Sequence, residues 1–208
     1  MKKSKRIKKS NSWKIKQHRD QFFKKSKTLG YRSRASFKLI ELNHKFKFIK
    51  KNSTLLDLGS SPGGWTQVAN NIITSGKILS IDIRDMEPVK KIKFIKKDIF
   101  DDNTKDNVIK YFNGKLDVII SDMAADTTGN KSLDSIRTNQ LCANVINFSQ
   151  DILKPKGVLV SKIFMGEDFI EVKNLAKSIF KKVNFFKPES SRSESKETYL
   201  HCEILKSL

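Results

Sequence analysis

The chain has 208 residues, of which 42 are Lys or Arg and 22 are Asp or Glu, so its formal net charge is +20. This length suits one domain with its own hydrophobic core, and no apolar run reaches the roughly 18 residues of a membrane-spanning helix. The chain holds only two cysteines, too few for a disulfide framework or a cysteine-based metal cluster. Secreted disulfide scaffolds, membrane proteins and zinc modules are therefore excluded.

The positive charge is concentrated at the start of the chain. Residues 1–50 hold 18 basic and two acidic residues, whereas the remainder is nearly balanced. Each Lys or Arg that contacts a phosphate releases condensed counterions, so a polyanion is the natural partner of this segment. Aromatic residues lie among the basic residues, and this mixture favours folded RNA as the polyanion. We predict a basic, RNA-facing N-terminal extension over residues 1–30 and a single domain over residues 31–208. A lysine-rich tail that serves only solvation, or an organellar transit peptide, is the alternative for the first residues.

From about residue 33, strand and helix patterns alternate along the chain. The apolar spacing predicts helices at residues 33–48, 65–73, 103–112, 132–153 and 168–180. Short apolar runs predict strands at residues 54–58, 77–82, 92–98, 116–122 and 157–164, with two further runs at 182–187 and 198–204. Pro155 and Gly157 are expected to end the fourth helix. Such alternation requires right-handed crossovers and parallel strands, so we predict a doubly wound α/β fold.

The first predicted strand runs into a glycine-rich turn at residues 59–64. Open parallel sheets bind ligands at the carboxyl ends of their strands, and glycines let the backbone approach a ligand closely. Asp82 ends the second strand, where a carboxylate can bind both hydroxyls of a ribose. Asp98 ends the third strand, where it can bind an adenine amino group. We therefore predict a nucleoside cofactor site; the alternative is a structural turn with carboxylates that end strands by chance.

Five motifs in chain order resemble those of one family. They are SRASFKL at residues 33–39, DLGSSPGGW at 57–65, SDMA at 121–124, VSKIF at 160–164 and SSRSESKETY at 190–199. The chain resembles the FtsJ/RrmJ-type RNA 2′-O-methyltransferases from about Lys27 to its C-terminus. This resemblance implies a Rossmann-like S-adenosyl-L-methionine-dependent methyltransferase fold with a seven-stranded, mostly parallel sheet flanked by helices. The last two strands would form an antiparallel hairpin, and residues 31–208 would be the catalytic domain.

The resemblance also implies a catalytic tetrad of Lys38, Asp122, Lys162 and Glu197. Lys162 is expected to act as the general base, with Lys38 lowering its pKa because two neighbouring cations repel each other. Asp122 is expected to balance the lysines and to lie near the sulfonium of the cofactor. Glu197 is expected to hold one of the two lysines in place.

By the same resemblance, S-adenosyl-L-methionine contacts six residues: Gly59, Gly63, Trp65, Asp82, Asp98 and Asp122. Gly63 and Trp65 are expected beside the methionine portion, and Asp57 is expected to orient the turn. No metal is expected. The loops that follow Asp82 and Asp122 depart from the usual sequence of the family, which leaves the finer substrate preference open.

The family's target is a uridine 2′-hydroxyl in the A-loop of 23S rRNA, with the assembled 50S particle as the preferred substrate. We therefore expect a cytoplasmic, monomeric enzyme that binds RNA through residues 1–34, Arg84 and Lys131, without a membrane partner. A methyltransferase acting on tRNA or on a cap would keep the same tetrad, and a non-catalytic rRNA-binding assembly factor is a second alternative. A nicotinamide-dependent dehydrogenase is disfavoured by Ser61, which stands where the dinucleotide fingerprint has a glycine.

Overall fold

The computed structural model describes residues 20–206, in which seven strands form one sheet. The strands are β1 (Thr54–Leu58), β2 (Lys77–Asp82), β3 (Lys93–Lys96), β4 (Leu116–Ser121), β5 (Leu153–Phe164), β6 (Phe180–Phe186) and β7 (Glu197–Leu205). The helices are α1 (Gln21–Thr28), α2 (Ala35–Phe46), α3 (Gly64–Ile72), α4 (Thr104–Phe112), α5 (Lys131–Ile152) and α6 (Phe169–Ile179).

The sheet has the strand order β3-β2-β1-β4-β5-β7-β6. Strands β1 to β5 pair in parallel, whereas β7 is antiparallel to both β5 and β6. The predicted α/β fold and its antiparallel final hairpin are confirmed. The strand order reverses between β1 and β4, and at such a switch point the carboxyl ends of neighbouring strands leave a crevice for a ligand.

Two hydrophobic cores cover the two faces of the sheet. Successive strand residues point to opposite faces, so that Leu55 of β1 packs in the core under α2 and α3, and Leu56 packs in the core under α4, α5 and α6. In β4, Ile120 and Ile119 divide between the same two cores. Both cores hold fully buried side chains. This packing holds the strands in place, and with them the polar residues at the carboxyl ends of the strands.

Strand β5 begins earlier than the sequence indicates. Residues 154–157 form a bulge, because Leu116 pairs with Leu153 and Val118 pairs with Val158. Pro155 has no N–H to donate to a neighbouring strand. Pro155 and Gly157 therefore interrupt the pairing of β5 with β4, and they do not form a loop between the helix and the strand. Strand β3 is shorter than predicted and ends at Lys96, which leaves Asp98 in the following loop.

Helix α1 was not predicted, because its apolar residues are too few to show a helical period. Asp20 caps it by accepting hydrogen bonds from the backbone N–H groups of Phe22 and Phe23 at 3.0 and 3.2 Å. The ring of Phe22 lies 5.5 Å from that of Phe37 on α2, which attaches α1 to the domain. Residues 1–19 of the predicted basic extension lie outside the described residues, and its boundary near residue 31 stays a prediction.

Candidate active site

A cavity of about 620 Å³ lies at the carboxyl ends of β1, β2 and β4. This volume is in the range of sites that hold a small-molecule ligand. Polar groups from the strand ends and apolar side chains from the following loops line it together. Residues that line the cavity include Gly59, Asp82, Asp98, Asp122, Met123 and Leu141. Four of the six residues predicted to bind the cofactor therefore share one cavity.

The two carboxylates that were predicted to bind a nucleoside lie on the wall of this cavity. Asp82 is held rigidly, because one carboxylate oxygen accepts from the backbone N–H of Ser61 at 2.8 Å and the other from that of Arg84 at 2.7 Å. Asp98 accepts from the backbone N–H of Phe100 at 3.0 Å. A carboxylate can accept about four hydrogen bonds, so both residues keep acceptor capacity for a ligand.

The turn after β1 brings its backbone close to the loop after β4. Gly59 has a φ of +71°, and a Cβ atom built there would collide with the side chain of Met123. A larger residue at this position would therefore both strain the turn and displace a cavity wall. The nearby hydroxyl of Ser60 is buried without a hydrogen-bond partner within residues 20–206. These features fit a polar ligand against the turn.

Asp57, which the resemblance implies as the residue that orients this turn, lies beneath the cavity near the end of β1. It is fully buried and accepts a hydrogen bond from the hydroxyl of Thr66 at 2.6 Å, and Thr66 in turn bonds to Ser80 at 2.9 Å. Burial, together with the nearby charges of Asp122 and Asp82, raises the pKa of Asp57 to about 7 against the opposing effect of Thr66. Asp57 thus links β1, β2 and α3 beneath the cavity.

Gly63 and Trp65 do not line the cavity. Trp65 is buried in the core, donates its indole N–H to the backbone carbonyl of Ala35 at 2.8 Å, and lies 5.6 Å from the ring of Tyr199. Gly63 has a φ of +107° and lies against Arg32, whose guanidinium donates to the backbone carbonyls of Pro62, Glu87 and Pro88. In this structure Gly63 therefore belongs to the turn itself, and Trp65 packs in the core beneath it.

The four tetrad residues form one continuous cluster at the edge of the cavity. Lys162 Nζ lies 2.8 Å from Asp122 Oδ1, donates to the backbone carbonyl of Asp122 at 2.8 Å, and lies 3.7 Å from Glu197 Oε2. Lys38 Nζ lies 2.7 and 2.8 Å from the two carboxylate oxygens of Glu197. Asp122 also lines the cavity, so this residue joins the predicted cofactor site to the lysine pair.

The sheet and α2 bring these residues together from distant positions in the sequence. Asp122 follows β4 directly, Lys162 lies in β5, and Glu197 begins β7, where it pairs with Phe164 of β5. Lys38 lies in the first turn of α2 and reaches Glu197 across the end of β7. The convergence therefore depends on the antiparallel pairing of β7 with β5.

Two further side chains hold the cluster, and their roles were not predicted. The hydroxyl of Tyr199 donates to Asp122 Oδ1 at 2.5 Å, and that of Ser191 donates to Glu197 Oε1 at 2.8 Å. Both residues belong to the last motif of the sequence, but a motif shows neither which side chain donates nor to which carboxylate. Tyr199 lies opposite Lys162 in the β5–β7 pairing, a register that only the structure shows.

The charges of the cluster are strongly coupled. Burial alone would raise the pKa of Asp122, but the neighbouring cations Lys162 and Lys38 outweigh it and lower this pKa. Burial alone would lower the pKa of Lys162, but the carboxylates of Asp122 and Glu197 outweigh it and raise this pKa. Burial and the same two carboxylates raise the pKa of Tyr199 well above its usual value, so its phenol stays a donor.

The expected lowering of the Lys162 pKa by Lys38 is wrong for this structure. Lys162 has two carboxylates in contact, whereas Lys38 is itself paired with Glu197. Attraction to these anions exceeds repulsion from the second cation, so Lys162 carries a proton at neutral pH.

Within residues 20–206, no three His, Cys, Asp or Glu side chains group closely enough to hold a metal ion. No helix in this part of the chain is both long and apolar enough to cross a membrane.

The chain is similar to known methyltransferases in sequence and in structure. The model of the family described as FtsJ-like methyltransferase matches residues 31–204. The ribosomal RNA large subunit methyltransferase E of Pelagibacter ubique is 43% identical over 197 residues, which cover 95% of this chain and 97% of that protein. The protein of the same name from Rickettsia akari is 44% identical, with 94% of this chain and 89% of that protein covered.

A solved structure agrees with these matches. The crystal structure of a ribosomal RNA methyltransferase from Plasmodium falciparum superimposes with a TM-score of 0.74 at 33% sequence identity, covering 84% of this chain and 98% of that one. Because the family model, the relatives and this structure agree over most of the chain, the chain belongs to the FtsJ-like methyltransferase family.

Proposed function

We propose that this enzyme methylates the ribose 2′-hydroxyl of a uridine in the A-loop of 23S rRNA, with the assembled 50S particle as its preferred substrate. The observation that carries the proposal is the position of Asp122, which lines the cavity and contacts Lys162 at 2.8 Å. A methyl donor in the cavity and an acceptor at the lysine pair would meet at this residue. The names of the relatives, which are ribosomal RNA large subunit methyltransferases, support the choice of RNA.

The methyl donor is S-adenosyl-L-methionine, which supplies an electrophilic methyl group on a positively charged sulfur. Asp82 would hold its ribose and Asp98 its adenine, since both line the cavity and keep free acceptor capacity. The backbone at Gly59 would lie against the ligand, and the Asp122 carboxylate would balance its charge. The fit of these residues to the cofactor rests on the cavity volume and on the donors and acceptors around it.

The lysine pair would act on the acceptor ribose. A ribose hydroxyl is a weak nucleophile, so its position in line with the methyl group supplies most of the acceleration. Lys38, fixed by Glu197, would orient the hydroxyl or an adjacent phosphate. Lys162 would accept the hydroxyl proton on Nζ as the oxygen takes the methyl group and the bond between that group and sulfur breaks, and it can do so only in its neutral form. Because its pKa is raised, that form is the minor one at neutral pH.

Exposed basic side chains in the loop after β2 and at the start of α5 support binding of a polyanion. Arg84 lies in the loop after β2 and pairs with Asp126 of the loop after β4, and Lys131 begins α5. With the basic residues 1–34 they would contact phosphates, which position RNA without reading its sequence. A cytoplasmic monomer suits an enzyme that acts on ribosomal particles.

The test is methyl transfer from labelled S-adenosyl-L-methionine to 50S particles, to protein-free 23S rRNA and to tRNA, all from cells that lack the enzyme. We expect label in 50S particles above all, at a single 2′-O-methyluridine, and no label with Lys162→Ala. Label in tRNA alone would refute the substrate. Tight binding to rRNA without any methyl transfer would favour the assembly-factor alternative. Full activity of Lys162→Ala would show that the assigned base is wrong.

A further inference from the structure

Half of the exposed large hydrophobic side chains in residues 20–206 come from two short segments that contact each other. One segment is the start of α5 and the other runs from the end of β5 into α6. We call these side chains the aliphatic platform: Leu133, Ile136, Met165 and Ile170. Their side chains are 42 to 59% exposed.

The loop of residues 165–168 is fixed against α5. The side-chain amide of Asn139 on α5 donates to the carbonyl of Phe164 at 3.0 Å and to the carboxylate of Asp168 at 2.8 Å, and accepts from the N–H of Phe164 at 2.8 Å. Gly166 lies so close to Ser135 that a Cβ atom there would collide with its hydroxyl. The loop is therefore anchored at both ends, which reduces the backbone entropy that it would lose on binding.

The backbone of Met165 lies directly beside the start of β7, where the tetrad residue Glu197 stands. Its backbone N–H donates to the carbonyl of Lys196 at 2.9 Å, and the preceding residue, Phe164, pairs with Glu197. Met165 is also three residues beyond Lys162 in the same segment. On α5, the exposed cation Arg137 lies one turn beyond Leu133 on the same side of the helix. An apolar surface at the end of β5, next to the start of β7 and with a cation beside it, matches the composition of RNA, with its apolar base faces and charged phosphates.

We propose that the aliphatic platform packs against an unstacked base of the RNA substrate, at or directly beside the acceptor nucleotide. This inference rests on the proposed function, because a ribose at Lys162 brings its own base or the next one to Met165. Sequence-specific recognition of RNA usually targets loop bases that are splayed out of the stack, and apolar Leu, Ile and Met side chains insert between bases at protein–nucleic acid contacts. The platform would thus hold such a base unstacked.

The test compares three substitutions of Met165 in single-turnover methylation of 50S particles and of protein-free 23S rRNA. Met165→Gln keeps the size but adds a polar group that resists desolvation, and we expect kcat/KM to fall about fivefold to tenfold. Met165→Leu keeps the apolar surface and should stay within about twofold of the wild type. Met165→Lys should lose as much as the glutamine variant, although it adds a cation.

Salt dependence separates base packing from phosphate contact. A lysine that binds a phosphate changes the slope of log affinity against log salt concentration, whereas an apolar contact does not. We therefore expect equal slopes for the wild type and Met165→Gln, with unchanged affinity for S-adenosyl-L-methionine and unchanged Tm. Faster methylation by Met165→Lys, or an unchanged kcat/KM in Met165→Gln, would overturn the proposal that the platform packs against a base.

A protein partner would give a different pattern. If Met165→Gln slowed methylation of 50S particles but not of protein-free rRNA, the platform would contact a ribosomal protein and the inference would be wrong. Failure of the proposed function is distinguishable, because the wild-type enzyme would then label neither RNA substrate before any variant is compared.

Discussion

Replacing Lys162 by Met should reduce both stability and activity, because the amine compensates two buried carboxylates. Lys162 lies 2.8 Å from Asp122 and 3.7 Å from Glu197, and its side chain is only 8% exposed. With an effective dielectric constant of about 20, these attractions are about 6 and about 4 kcal/mol before desolvation is subtracted. Loss of one partner from a buried ion pair costs about 3 to 5 kcal/mol, and we expect a loss near the lower value because Lys38 still neutralises Glu197.

Lys154→Met is the matched control in the same strand. Lys154 lies 2.7 Å from Asp117, a similar distance, but its side chain is 47% exposed. An exposed pair contributes about 0 to 1 kcal/mol, so this variant should unfold close to the wild type in urea. Both variants replace Lys by Met, so they differ in how deeply the lost ion pair is buried and not in the chemistry of the substitution.

Urea unfolding followed by circular dichroism gives the free energy of unfolding for the wild type and both variants. Methyl transfer should fall by about a thousandfold in Lys162→Met, since a positioned general base contributes about this much, and should be unchanged in Lys154→Met. Equal stability of Lys162→Met and the wild type would refute the reasoning, because the carboxylates would then not depend on the lysine.

Three other predictions concern pH and thiol chemistry. Single-turnover methyl transfer should rise about tenfold per pH unit between about pH 7.5 and 9, since neutral Lys162 is the minor form; a flat profile would show that the ammonium form is active. Burial lowers the pKa of His201 to about 4, so the unfolded chain binds more protons between pH 6.5 and 4. The contribution of His201 to stability should therefore fall by roughly 3 kcal/mol as the pH drops from 6.5 to 4, whereas Asp57, whose pKa is raised, changes stability in the opposite direction. The difference in unfolding free energy between the wild type and His201→Phe, measured in urea at each pH, isolates the contribution of His201 and should change by this amount across the window; a constant difference would contradict the prediction. Burial raises the pKa of Cys142 to about 12 and also raises that of Cys202, so neither should react with Ellman's reagent until the protein is denatured.

Much of the fold could be predicted from the sequence because its signals are local. The apolar run of β1, the glycine turn after it and the strand-ending Asp82 all follow from short-range patterns, and the structure places them around one cavity. Helix α1 lacked such a pattern, since its stability comes from Phe22 packing on Phe37 and from the Asp20 cap. Pro155 indicated a break, but only strand pairing shows that the break is a bulge within β5.

The site was harder to predict where it depends on distances across the fold. Lys38 and Lys162 were identified from their motifs, but the protonation of Lys162 is decided by the carboxylates in contact with it. The burial of Trp65 against Tyr199 likewise depends on the pairing of β7 with β5. Motifs therefore indicate which residues converge, whereas the distances between their charged groups determine which protonation state each one adopts.

The most direct test of the account is the mapping of ribose methyl groups by mass spectrometry in 23S rRNA from cells that lack this protein. One 2′-O-methyluridine in the A-loop should disappear, return when the wild-type chain is expressed, and stay absent with Lys162→Ala. A 23S rRNA whose ribose methyl groups are unchanged in the deletion strain, or are restored by Lys162→Ala, would contradict the account.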